Sequence, residues 1–138
     1  MNIDAISNGI VIDHITAGRG MRLYELLELE KLNCSVAIIK NVHSEKLGKK
    51  DIIKIDSDFP ANLDVIGYVD PGVTINIIRN GALVEKKRIE IPETLTNVIF
   101  CRNPRCITST EQELSHVFKL TDRENKVYRC VYCETKAN

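Results

Sequence analysis

Two strand-helix-strand patterns in tandem, an Asn80-Gly81 hairpin signal and two close cysteine pairs in the last third of the chain predict an α+β protein in two parts. The first, residues 1–93, reads as a ferredoxin-like antiparallel sheet with two helices. The second, residues 94–138, reads as a small β-rich zinc-binding domain.

Residues 3–15 are rich in Ile and Val and are broken at Asn8-Gly9, which predicts a strand with a turn or bulge. After Gly18 and Gly20, a helix is expected from Met21. Leu23, Leu26, Leu27 and Leu29 follow helical spacing there, and Arg22, Glu25 and Glu28 fall on the outer face. Residues 35–40 and 50–56 return to β composition; in the second, Ile53 and Ile55 point one way and Ile52 and Lys54 the other. Pro60 is placed to open a short second helix carrying Leu63, Ile66 and Val69, which ends near Pro71-Gly72. Residues 73–79 and 82–91 flank Asn80-Gly81, the dipeptide that supplies the positive φ angles of a type I′ turn. The order is β-α-β-β-α-β with one added strand. Residues 93–100 read as a short linker, and residues 116–120 and 126–132 as strands of the second part.

With 43% hydrophobic and 28% charged residues, the 138-residue chain is ordinary globular material and not a disordered tail. Up to residue 95 it holds twelve basic and fourteen acidic residues, and beyond it seven and five, so neither part carries the excess of a nucleic-acid footprint. The N-terminal residues lack a basic, then apolar, leader pattern and no run approaches 18 apolar residues, which leads us to expect a cytoplasmic protein with no membrane partner.

Cys101 and Cys106 are separated by four residues, Cys130 and Cys133 by two, and only Cys34 lies elsewhere. Two such turns facing each other supply four thiolates in a tetrahedron, the arrangement zinc takes. Disulfides fit an odd cysteine count poorly, and a rubredoxin-like iron site usually draws both pairs from shorter turns. A catalytic zinc keeps a position open, whereas four thiolates close the shell, so one structural Zn2+ per chain is expected.

Catalysis has no obvious seat. His14, His43 and His116 lie in unrelated segments, Cys34 reads as a packed small residue, and Gly18-Arg19-Gly20 reads as loop geometry more readily than as a phosphate loop. If their strands are neighbours, however, Asp13, His14, Lys54 and Lys86 gather on one sheet edge. Asp suits a ribose diol, Lys suits phosphates and His suits either, in the order a nucleoside triphosphate presents them. Ordinary solvated edge residues give the same pattern. Leu83 and Lys86 differ by an odd number, so both reach one site only through a bulge, a backbone contact or side-chain reach.

Residues 9–15 (GIVIDHI), 48–55 (GKKDIIKI) and 73–76 (VTIN), with C-R-N-P-R-C-I and C-V-Y-C, resemble the regulatory chains of aspartate carbamoyltransferase across almost the whole length. The resemblance implies a non-catalytic subunit serving feedback control of pyrimidine biosynthesis. Residues 1–93 would be its nucleotide-binding allosteric domain, and residues 94–138 a zinc domain docked on the catalytic chain. Regulatory dimers would link catalytic trimers, with CTP inhibiting and ATP activating through one site. Residue by residue, the backbone of Ala5 and Ile6 would meet the base, with Ile3 and Asp4 nearby. Asp13 and Lys54 would hold the ribose region, and His14 and Lys86 would approach the phosphates. Asn76, Ile78 and Leu83 would complete the pocket, and Ile52 would wall it. At Gly81 only a backbone contact is expected, the leading arm is short, and five residues after Cys133 leave a last strand of the zinc module in question. A zinc-ribbon nucleic-acid binder using Arg102, Arg105 and Arg129, and an amino-acid-sensing regulator, are the competing readings.

Overall fold

The computed structural model describes residues 6–137, and the chain divides into two compact units between Ile91 and Pro92. The first unit runs β1 (Gly9–Thr16), α1 (Gly20–Leu26), β2 (Val36–Ser44), β3 (Gly48–Ile55), α2 (Leu63–Val69), β4 (Thr74–Arg79) and β5 (Ala82–Arg88). Its sheet has the order β2-β3-β1-β4-β5, and every neighbouring pair is antiparallel. That is the split β-α-β arrangement with β5 added at one edge.

Alternation decides which sheet face is buried. Ile38, Ile53, Ile12 and Ile75 face one another across four strands; the last three are buried, as are Ile10, Ile15 and Ile55. Helix α1 packs on β2 and β3 and against α2, with Leu23 and Leu27 of its segment and Val65, Ile66 and Val69 of α2 buried.

Local chemistry moves several boundaries. The first strand is not interrupted at Asn8-Gly9, which precedes or opens it; its irregularity lies between Ile12 and Ile15. His14 there takes φ 59°, and Asp13 Oδ1 accepts the His14 N–H at 2.6 Å. Helix α1 ends before Leu29 because Glu28 adopts φ 56°, and Leu29 is buried from a following 3₁₀ turn over Leu29–Lys31. Pro60 does not open α2: the Asn62 side chain accepts from the N–H groups of Asp64 and Val65, at 3.0 and 3.4 Å, and caps the helix instead. In the hairpin, Asn80 at φ 52° and Gly81 at φ 77° match the expected turn.

Two buried carboxylates fix the loop between β1 and α1. Asp51 accepts the Gly18 and Gly20 N–H groups at 3.0 Å each and that of Asn41 at 3.1 Å. Asp70 accepts the Thr16 N–H at 2.6 Å. The Gly18-Arg19-Gly20 loop is therefore filled by the protein's own carboxylate, which supports loop geometry over a phosphate cradle.

The second unit contains β6 (Thr94–Thr96), α3 (Ile107–Thr110), β7 (Val117–Asp122) and β8 (Val127–Cys130), with sheet order β6-β7-β8. Residues 94–96, expected as linker, are thus a strand paired to β7. Leu95, Phe118 and Tyr128 form the core with Cys106 and Cys130. Beyond Cys133 the chain returns along β8: Cys130 N–H donates to Thr135 O at 3.0 Å and Ala137 N–H to Tyr128 O at 2.8 Å, and Arg129 bridges Lys136. A last paired segment is present despite the few residues after Cys133.

Candidate functional site

The sheet face opposite the isoleucine core carries three cross-strand rows about 7 Å apart, apolar in the first and polar or charged in the other two. The first aligns Gly9, Ile78 and Leu83. The second aligns Ala37, Lys54, Val11, Asn76 and Lys86 across all five strands. The third aligns Asp13, Thr74 and Arg88, while Ile52 faces Ile39 on the other flank. Leu83 and Lys86 share this face because the register of β5 slips between Ile77 and Ile78, so that Glu85 faces Ile77 and Leu83 faces Ile78. The bulge resolves the parity problem.

Asp13 forms an ion pair with Lys50 at 2.9 Å. Partial burial opposes its charge, yet the Lys50 ammonium, the His14 N–H and the nearby imidazole together hold its carboxyl below the usual range. His14 Nδ1 lies 3.1 Å from Thr74 Oγ1, so the bulge aims the imidazole at the third row. In the second row, Asn76 Oδ1 is buried with no hydrogen-bond partner, an acceptor at the centre of the face. Beside the third row opens a pocket of about 470 Å³ whose basic lining residues are His14, Lys46, Lys86 and Arg88.

At the apolar end, Gly81 N–H donates to Ser7 O at 2.8 Å and Asn80 N–H to the Asn8 side chain at 3.2 Å. The hairpin tip thereby holds the segment that follows buried Ile6, and the backbone at Gly81 serves the fold. Ile3, Asp4 and Ala5 lie outside the described residues. The sequence reading missed Lys50, Lys46, Thr74 and Arg88. The Lys49-Lys50 pair and the Lys86–Arg88 cluster were the available signals; Lys46 had none, because only the strand pairing places its turn beside β1.

In the second unit the four sulfurs of Cys101, Cys106, Cys130 and Cys133 all lie within 4.8 Å of one another. Cys101 and Cys133 are 3.6 Å apart and Cys106 and Cys130 3.7 Å. Disulfide sulfurs stand about 2 Å apart, whereas a tetrahedron with zinc–sulfur bonds of about 2.3 Å has edges of about 3.8 Å. The donor set fits a closed thiolate metal site. Cys106 occupies the N-cap position of α3 without a side-chain cap hydrogen bond, and the Asn103 side chain accepts the Arg105 N–H at 3.0 Å, which tightens the loop between the first two ligands. His116 is no ligand: its Nδ1 accepts the Cys101 N–H at 3.1 Å, and Phe100 packs edge-on against its ring at 4.9 Å.

Burial pushes the Cys101 thiol up to about 12 and raises Cys130. The hydroxyls of Thr135 and Thr108, each 3.1 Å from a sulfur, lower Cys133 to about 6 and also lower Cys106. A metal bound here displaces the remaining protons. Phe100, Ile107, Val131 and Tyr132, each adjacent in sequence to a ligand cysteine, are exposed large apolar residues. Arg102, Arg105 and Arg129 are exposed too, but the Arg129 guanidinium donates to Glu134 O at 3.1 Å.

Residues 1–90 match the family model described as the aspartate carbamoyltransferase regulatory chain, allosteric domain, and residues 93–138 match its metal binding domain. The chain is 49% identical over 134 residues to an aspartate carbamoyltransferase regulatory chain of Clostridium botulinum, covering 97% of this chain and 92% of that one. It is 47% identical over 135 residues to that of Clostridium tetani, covering 97% and 94%. With that of Bifidobacterium longum it shares 41% over 137 residues, covering 99% of each.

Proposed function

Because the chain belongs to the family of aspartate carbamoyltransferase regulatory chains, we propose that its open sheet face binds nucleotide effectors and that its metal unit docks on the catalytic chain. The observation that carries the first statement is the gradient across three rows. Ile78 and Leu83 suit a base, and Ile6 lies toward the same end. Asp13, Lys54 and the unpartnered Asn76 acceptor suit a ribose. His14 and Lys86 line a cationic pocket that suits phosphates, and Ile52 walls the opposite flank. In this reading Ile3, Asp4 and Ala5 continue the base end.

CTP and ATP share a triphosphate and differ in the base. Phosphate anchoring alone therefore cannot give them opposite effects; the sign of the response must come from the apolar row and the segment leading into β1. A ligand shifts a two-state equilibrium only by its differential affinity for the states. Such coupling is typically about 1–3 kcal/mol and is reciprocal for binding.

For the second statement, each of the four cysteines has an exposed large apolar residue next to it in sequence, and apolar side chains held out beside a metal site suit a protein partner. We assign the metal as zinc. Four thiolates leave it no open position, so its chemistry is structural, and Cys101, Cys106, Cys130 and Cys133 hold it. Regulatory dimers linking catalytic trimers, working in the cytoplasm where thiols stay reduced, complete the reading. Among the described residues no helix is long and apolar enough to cross a membrane.

Calorimetric titration of CTP and ATP into the whole chain tests the site. Lys86→Ala and Lys54→Ala should each weaken binding about five- to tenfold, the loss of one charge-assisted contact. Wild-type binding that neither change weakens would overturn the assignment.

A further inference from the structure

We propose that Lys46 makes this site discriminate by phosphate number, reading the terminal phosphate of a nucleoside triphosphate and not a monophosphate; the inference rests on the nucleotide reading above. The cationic pocket draws its basic groups from three separate elements. His14 comes from the β1 bulge, Lys86 and Arg88 from β5, and Lys46 from the turn joining β2 to β3. None of its lining residues is acidic; Asp13 Oδ2 lies 4.0 Å from His14 Nδ1, but within the lining Lys46, Lys86 and Arg88 have no acidic neighbour, and an anion carrying several charges relieves their mutual repulsion.

The sheet order β2-β3-β1-β4-β5 separates their roles. Lys86 shares the ribose row with Lys54 and Asn76, within reach of the first phosphate. Lys46 approaches from the opposite flank, across both β1 and β4 from β5, and lies in none of the three rows. A single phosphate held near Lys86 leaves Lys46 unused, whereas a chain of three can span the pocket. The turn is fixed for this: the Leu47 N–H donates to Ser44 Oγ at 3.2 Å, and Ser44 is buried.

The test is calorimetric titration of the whole chain with CTP and with CMP, using wild type, Lys46→Ala, Lys46→Arg and the exposed-site control Lys49→Ala. Lys46→Ala should lower CTP affinity about fivefold, as for one solvent-exposed ion pair, and leave CMP affinity unchanged, so that the ratio between them falls. Lys46→Arg should retain the ratio, and Lys49→Ala should not alter it. An unchanged ratio in Lys46→Ala, or an equal fall in Lys49→Ala, overturns the inference and leaves the nucleotide site standing. Failure of both nucleotides to bind the wild type overturns the site and the inference together.

Discussion

Asp13 is pulled two ways, by partial burial that disfavours its charge and by the Lys50 ammonium at 2.9 Å that favours it, and the attraction wins. Its folded-state pKa lies below that of the unfolded chain. Its contribution to stability is therefore complete above about pH 4, the unfolded carboxylate value, and is lost as pH falls through the lower folded value. Unfolding measured between about pH 2 and 6 should show a shallower acid limb in Lys50→Met than in wild type. Equal limbs would mean the pair adds nothing. Asn76 offers a second separation of roles. Its side-chain oxygen already lacks a partner, so Asn76→Ala should shift stability by no more than about 0.5 kcal/mol while weakening CTP binding about fivefold. A large loss of stability with unchanged affinity would make Asn76 structural. Asp13, His14 and Lys54 were legible because a polar side chain inside an apolar strand stands out, and Lys86 because it follows the Asn80-Gly81 turn on the last strand. Lys46 was not, since a lysine in a turn is what any surface carries until register shows which way it faces.

At the level of elements, period-two alternation and the Asn80-Gly81 turn made the strands readable, and with them the face that Ile53 and Ile55 share, whereas which strands are neighbours came from the sheet order β2-β3-β1-β4-β5. What was lost lay where a side chain competes with backbone pairing. Asn62 took the helix cap from Pro60, Glu28 ended α1 by entering the left-handed region, and the Asp13 carboxylate bonded the His14 N–H to make the bulge. None of these contests changes hydrophobic pattern. Register also sets a steric limit at the start of β1. A Cβ on Gly9 would lie 2.1 Å from Ile55 O and 3.0 Å from Ser57 N, both backbone atoms. Gly9→Ala should destabilise the first unit by about 2–3 kcal/mol through a forced strand shift, measured by denaturant unfolding. A neutral result would mean that β1 and β3 do not pair as closely as described.

The whole molecule joins two units that hold together by different means. The first buries an aliphatic core; the second, from Pro92 onward, is of a size that rarely folds on apolar burial alone. Structural zinc contributes about 10–16 kcal/mol in comparable peptides, enough to make the metal decide whether that unit is folded. Spacing revealed the four ligands, but not His116 bonding the Cys101 backbone or the return of the chain along β8, since each depends on contacts distant in sequence. The central claim is that a ligand on the sheet of one unit controls a catalytic partner gripped by the metal-ordered other. The most direct measurement is the carbamoyltransferase activity of the assembled complex under CTP titration, before and after a chelator strips the regulatory chain. Activity should respond to CTP in the intact complex and cease to respond once the metal is gone, while the stripped chain still binds CTP. A nucleotide response that survives demonstrated metal loss would contradict the account, as would an intact complex indifferent to both CTP and ATP.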